Sequence, residues 1–245
     1  MNIVIIGGTS GIGRCLSANL INNHNVFIGA RTESDIDAVV KEISAKNHGN
    51  LLYGNHVDAS DFISVSNFLD SASKKLESID AIINCAGSLL LKPPHMITQN
   101  EVENVFKTNA FSCLALLKFG FPYMKNSGGS FIFFSSAASK VGLKNHEVIS
   151  GAKGAVSSIA LSAASTYAHY NIRVNVVAPG LVETPLSEKI TNNKISLDYS
   201  KKMHGLNRIG KPKNFIPIID SLLDRRSDWI TGQTIFVDGG LSNVK

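Results

Sequence analysis

"IVIIGGTSGIGRCL", residues 3–16, decides the fold. Its first four residues are all β-branched, which suits a short buried strand. The run stops at Gly7 and Gly8, and apolar residues then return at helical spacing, at Ile12, Cys15, Leu16 and Leu20. The stretch therefore reads as strand, glycine turn, helix. The spacing over Gly7, Gly11 and Gly13 is G-x-x-x-G-x-G, with Thr9, Ser10, Ile12 and Arg14 between and after the glycines. Glycines here allow a tight turn and bring backbone N–H groups close to an anion, with the positive end of the helix aimed at the same point. A glycine-rich turn alone is weak evidence. Placed between a first strand and a first helix, it becomes a pyrophosphate site.

Working outward, short β-branched runs alternate with longer amphipathic segments. Strands are expected at Ile3–Ile6, Val26–Ile28, Leu51–Val57, Ala81–Ile83, Phe131–Phe134, Arg173–Val177 and Thr234–Val237. Helices are expected at about 11–23, 34–46, 60–76, 98–124, 150–169 and 212–224, the second opening on a capping box at Ser34–Asp37. Such alternation implies an α/β single-domain Rossmann fold over residues 1–245, a doubly wound parallel sheet of about seven strands with helices on both faces. One polar, Asn- and Lys-rich stretch, about 185–210, reads as an irregular flap over a substrate.

Composition narrows the partners. With 44% hydrophobic and 18% charged residues, the chain can bury a core and is too polar for a membrane protein. The net charge of +5 is spread along the chain without a basic, aromatic-laced run, so neither nucleic acid nor membrane is an expected partner. Cys15, Cys85 and Cys113 have no metal-ligand spacing and read as reduced, mostly buried thiols; no metal is expected, and the location is cytoplasmic.

The second strand ends at Gly29-Ala30-Arg31, where a fold selecting NAD wants a carboxylate for the ribose 2′-hydroxyl. Arg31 and Arg14 instead offer guanidinium forks suited to a 2′-phosphate, which favours NADP(H).

Further motifs follow in order: Val57-Asp58-Ala59, Asn84-Cys85-Ala86-Gly87, Asn109 in "FKTNAF", Ser136 in "FIFFSSAAS", Lys153 in "SGAKGAV", "VAPGLVETPL" at 177–186 and "ITGQTIFVDGGLS" at 230–242. With the glycine turn, these make the chain resemble a short-chain dehydrogenase/reductase, most of all the 3-oxoacyl-carrier-protein reductase branch. That resemblance implies that Asp58 meets the adenine amino group and that Ser136 hydrogen-bonds the substrate oxygen. It implies that Lys153 holds the nicotinamide ribose, that Asn109 positions a water beside Lys153, and that Pro179, Gly180 and Thr184 lie along the nicotinamide. The cofactor set is then Gly7, Thr9, Ser10, Gly11, Ile12, Gly13, Arg14, Arg31, Asp58, Ala59, Asn84, Ala86, Gly87, Lys153, Pro179, Gly180 and Thr184. The substrate is a small carbonyl compound or alcohol, and the assembly a homodimer or homotetramer. For the assembly, the helices rich in small residues, with Ala160, Ala163, Ala164 and Ala168, supply pairing faces.

The family's Y-x-x-x-K is broken: Ile149 stands four residues before Lys153, and no tyrosine lies between Tyr123 and Tyr167. A positioned general acid is worth ~10²–10⁴-fold in rate, so its loss slows hydride chemistry without abolishing it. The replacements are a water relaying a proton from Lys153, His146 just upstream, or Tyr199 or His204 arriving from the flap. Three readings stay open: an active NADP-dependent enzyme with an altered acid, an inactive NADP-binding sensor or partner subunit, and a reductase inactivated by substitution. Ser150-Gly151-Ala152-Lys153 also matches S-x-x-K of penicillin-recognising hydrolases, but neither S-D-N nor K-T-G accompanies it.

Overall fold

A computed structural model describes residues 1–47 and 49–244. Alternation along the strands sets the layering. In β1 (Asn2–Ile6), Val4 and Ile6 face one side while Ile3 and Ile5 face the other, and all four are buried. The same alternation runs through β2 (Asn25–Ala30), β4 (Ala81–Asn84), β5 (Gly129–Phe134) and β6 (Ile172–Pro179). With β3 (Leu52–His56) and β7 (Thr234–Val237) they form one parallel sheet, ordered β3-β2-β1-β4-β5-β6-β7. The seven expected strands are all present.

Helices cover both faces. On one lie α3 (Phe62–Leu76), α5 (Ser112–Met124) and α6 (Glu147–Tyr167), whose Phe68, Leu116 and Val156 pack on Val4, Phe131 and Val176. On the other lie α1 (Gly11–Leu20), α2 (Glu33–Ser44) and α9 (Ile216–Leu223), whose Leu16, Ile36 and Ile219 meet Ile5, Ile28 and Ile132. The order in which strands are added reverses between the parallel neighbours β1 and β4, so a crevice opens beyond the carboxyl ends of those two strands.

Four local expectations are corrected. No capping box opens α2: Thr32 is its N-cap and makes no side-chain cap bond. The reciprocal pair is instead Thr98–Glu101, at the start of α4 (Gln99–Phe106). The helix expected over 98–124 is interrupted by a π-turn, Lys107–Phe111, that holds Asn109. The polar flap is largely helical, with α7 (Glu188–Thr191) and α8 (Lys194–Met203), the latter capped where the Asn193 side chain accepts from Ser196 N. Finally, Ala160, Ala163 and Ala164 are buried in the chain's own core, so only Ala168 of that set is left on the surface.

Two glycines give opposite expectations. A Cβ on Gly29 would lie 2.5 Å from Val57 Cγ1 and 2.6 Å from the Phe68 ring. Gly29→Ala should therefore cost about 1–3 kcal/mol by overpacking. Gly154, inside α6, has open space at its Cβ. Gly154→Ala should gain about 0.5–1 kcal/mol. Urea unfolding of the two variants checks both signs.

Candidate functional site

The glycine turn is held by contact, not only by flexibility. Gly7 has φ +77° and Gly11 φ +51°. A Cβ on Gly13 would sit 2.1 Å from Gly7 O, and one on Gly7 2.9 Å from Ala86 N. The first turn of α1 is thus pressed onto the chain leaving β4. Ser10 is the N-cap of α1 yet makes no side-chain cap bond. The helix's leading N–H groups are left for an anion, the arrangement a pyrophosphate needs. Thr184 reaches the same place from beyond β6, its Cβ 3.2 Å from where a Gly11 methyl would stand.

Just beyond β3, Asp58 Oδ1 accepts from Ser60 N (2.9 Å) and Ser60 Oγ (2.7 Å). The Ser60 hydroxyl, then its N–H and the nearby Arg31, hold this carboxyl below its ordinary range despite some burial. Oδ2 has no partner among the described residues and can accept from an amino group. Ala59 is buried beside it. The two arginines differ. Arg14 is bonded to Glu42 of α2, whereas Arg31 is exposed and has no ion-pair partner among the described residues. The pair of phosphate-binding guanidiniums expected from sequence therefore reduces to one uncommitted group, Arg31. These features fit a dinucleotide with a 2′-phosphate.

Beyond the carboxyl ends of β4 and β5, Asn109, Lys153 and the strip after β4 come together. A Cβ on Gly87 would meet Asn109 Oδ1 at 3.1 Å and Lys153 Nζ at 3.6 Å. Lys153 Nζ donates to Phe134 O at 2.8 Å. Burial pulls its pKa from 10.5 down to about 8. Asn109 is more committed than expected: Nδ2 donates to Val105 O and Ser88 Oγ, both 2.9 Å, and Oδ1 accepts from Ser88 N at 3.4 Å. It ties the post-β4 strip to the π-turn, which leaves little of its amide for a water. Asn84 also works structurally, donating to Ser112 Oγ (2.9 Å) and accepting from Ala86 N (3.2 Å). Ser136 Oγ accepts only from Ala138 N (3.2 Å), so its proton is free for a substrate oxygen. Burial pushes the Cys85 thiol up to about 12 and the Cys113 thiol to about 11, and all three cysteines are free.

Ile149 lies in the first turn of α6, four residues before Lys153 and on the same helix face. It is 3% exposed, packed with Val105, Val148, Ala152 and Leu89 at the wall of a cavity of about 1000 Å³. His146, the N-cap of α6, also lines this cavity; its Nδ1 meets Lys144 O at 2.7 Å, which leaves Nε2 uncommitted. The flap donors fare differently. His204 is 2% exposed, with Nδ1 on Ser200 O (2.6 Å) and Nε2 accepting from Leu181 N (3.2 Å). Both ring nitrogens are used by backbone, so His204 pins the flap and is no acid. Tyr199 stays exposed at the cavity mouth.

Two anchors were missed in sequence. The Phe134 carbonyl holds the ammonium. Ser135 Oγ donates to Lys153 O at 2.7 Å and accepts from Ser157 Oγ at 3.2 Å, clamping α6 to the end of β5. The doubled serine in "FFSSAAS" was the available signal.

Comparison with known proteins places this geometry. A family model described as enoyl-(acyl carrier protein) reductase matches residues 7–242. A tropinone reductase homologue of Arabidopsis thaliana, described as chloroplastic, is 31% identical over 99% of this chain and 76% of its own. A short-chain type dehydrogenase/reductase from Mycobacterium ulcerans superposes with a TM-score of 0.93 at 26% identity, covering 99% of this chain and 90% of that one. Actinorhodin polyketide ketoreductase, solved with NADPH, shares the fold with a TM-score of 0.93 at 21% identity, over 99% and 97% of the two chains. No described helix is long and apolar enough to cross a membrane.

The depressed lysine has a stability consequence. Its folded pKa, about 8, lies below the unfolded 10.5, so between these values the unfolded state binds more protons and stability rises with pH. Without cofactor, the stability of wild type minus that of Lys153→Met should climb across pH 8–10.5, by on the order of 3 kcal/mol in total. Chemical denaturation at stepped pH measures it; a flat difference would mean the ammonium is solvated.

Proposed function

The chain belongs to the short-chain dehydrogenase/reductase family, and from that premise we propose that it is an NADP(H)-dependent oxidoreductase interconverting a small carbonyl compound and its alcohol. The observation carrying this reading is the convergence of Ser136, Lys153 and Ile149 on one cavity beside the glycine turn. Bound NADP(H) would give or take the hydride. Gly7, Gly11 and Gly13 with the leading N–H groups of α1 would hold its pyrophosphate, Asp58 Oδ2 the adenine, and Arg31 the 2′-phosphate. Thr9 and Ser10 border the turn, while Pro179, Gly180 and Thr184 close it from the far side.

The Ser136 hydroxyl donates to the carbonyl oxygen and fixes its direction. Lys153 Nζ, anchored on Phe134 O, holds the proton that the product alkoxide needs. A pKa of about 8 makes this ammonium a readier donor than an ordinary lysine, and a water between Nζ and substrate would complete the path. His146 Nε2 is the competing source. Ile149 itself moves no proton; it seals an apolar wall.

A second reading, a non-catalytic NADP-binding protein, is favoured by that same burial of Ile149 among apolar residues. The 3-oxoacyl branch, the cytoplasmic location and a homodimer or homotetramer belong to the proposal too. For assembly, Phe111, Leu114 and Leu161 remain exposed on the π-turn, α5 and α6.

Four substitutions test these points. Ile149→Tyr should raise NADPH consumption over a ketone panel that includes 3-oxoacyl thioesters, by about 10²-fold or more. No gain with NADPH binding intact would support the second reading. His146→Ala should leave the wild-type rate within a few-fold, and a large loss would make the imidazole the donor. In calorimetry, Arg31→Ala should weaken NADP(H) by roughly 10-fold or more while sparing NAD(H), and Arg14→Ala should do much less. Equal losses would overturn the single-arginine reading.

A further inference from the structure

Resting on the reductase reading above, we infer that this cavity takes an uncharged, predominantly apolar ketone or secondary alcohol and rejects carboxylate and amine analogues of the same skeleton. Among the described residues lining the cavity there is no Asp, Glu or Arg. An ammonium ligand would lose water without meeting a carboxylate, which is costly for a buried charge. An anion fares no better. The Lys153 ammonium is tied to Phe134 O beneath the nicotinamide end, and Lys144 is exposed at the rim, where a charge pair contributes little.

The lining histidines offer little more. His204 has both nitrogens on backbone atoms, and His146 has only Nε2 uncommitted. No lining side chain is a buried polar group without a partner; the described ones of that kind, His24 and Ser130, lie elsewhere. A site built to read a charged or polyhydroxylated substrate would present unpaired polar groups waiting for it. The Ser136 hydroxyl proton is needed at the reacting carbonyl, and what remains is His146 Nε2 with the hydroxyls of Ser196, Tyr199 and Ser200 on α8.

Most of the remaining wall is apolar, and part of it is bare. Val141 and Leu143 line the cavity from the loop before α6 and Ile190 from α7, with Ile149 where a phenol would have added a polar group. At the mouth, Leu91 is 40% exposed, Leu186 54% and Tyr199 66%. Three large side chains from three segments, all left facing water around one cleft, mark a surface that a ligand covers. About 1000 Å³ leaves room for an extended or polycyclic skeleton beside a nicotinamide.

The test is binding by calorimetry, with and without NADP⁺, so that it does not depend on turnover. A 2-alkanone series from six to twelve carbons is compared with 9-oxodecanoate and with the equivalent ω-ammonium ketone. Affinity should rise roughly threefold to fourfold per added methylene until the cavity is filled. Both charged analogues should bind at least tenfold more weakly than 2-decanone. Leu186→Asp, a change at an exposed position, should weaken 2-decanone and strengthen the ammonium ketone. Affinity flat with chain length, or a charged analogue binding as well as 2-decanone, overturns the inference. Absence of NADP⁺ uptake would instead sink the cofactor reading, and the alkanone series without NADP⁺ would still decide this one.

Discussion

Everything at this site depends on how closely the glycine turn can lie against the chain leaving β4. A methyl on Gly13 would come within 2.1 Å of Gly7 O, and one on Gly7 within 2.9 Å of Ala86 N. Any side chain at either position would push α1 away from the switch point, and with it the N–H groups that meet an anion. The contact also fixes Gly87, through the strip Cys85–Gly87, next to Asn109 and Lys153. One tight approach therefore ties the phosphate end of the cleft to its chemical end.

This explains why so much of the fold could be read from the chain. Strands buried on both faces need unbroken β-branched runs, and those runs carry their own boundaries. What could not be read depends on partners distant in sequence. The start of α6 at Glu147 is three residues earlier than periodicity suggests, because polar His146 and Glu147 precede the apolar stripe. The π-turn around Asn109 is invisible to a 3.6-residue pattern, since its extra residue is stabilised by bonds from Asn109 to Ser88. The flap looked irregular because α8 is polar on most sides and is held by caps and His204, which no hydrophobic period reports.

The site shows the same division. The residue types on which the proposed function rests were visible as motifs: the glycines, Asp58, Ser136, Lys153. Their states were not. Nothing in the sequence says that Arg14 is taken by Glu42 while Arg31 is open, or that His204 has no nitrogen to spare. The decisive pairings, Arg14 with Glu42 and His204 with Leu181, span 28 and 23 residues, and they decide which of several plausible groups is available for work.

Ile149 brings the two levels together. An alkyl side chain at 149, where the sequence resemblance leads one to expect a phenol, offers no proton path, and it packs among the apolar side chains of Val105, Val148 and Ala152. Lys153, four residues on, is buried as well, and that burial draws its pKa down to about 8. A lysine so placed parts with its proton nearer neutral pH than an ordinary one, so under the proposed function it can stand in for an absent phenol, while the apolar side chains around Ile149 suit substrates that bring no charge of their own.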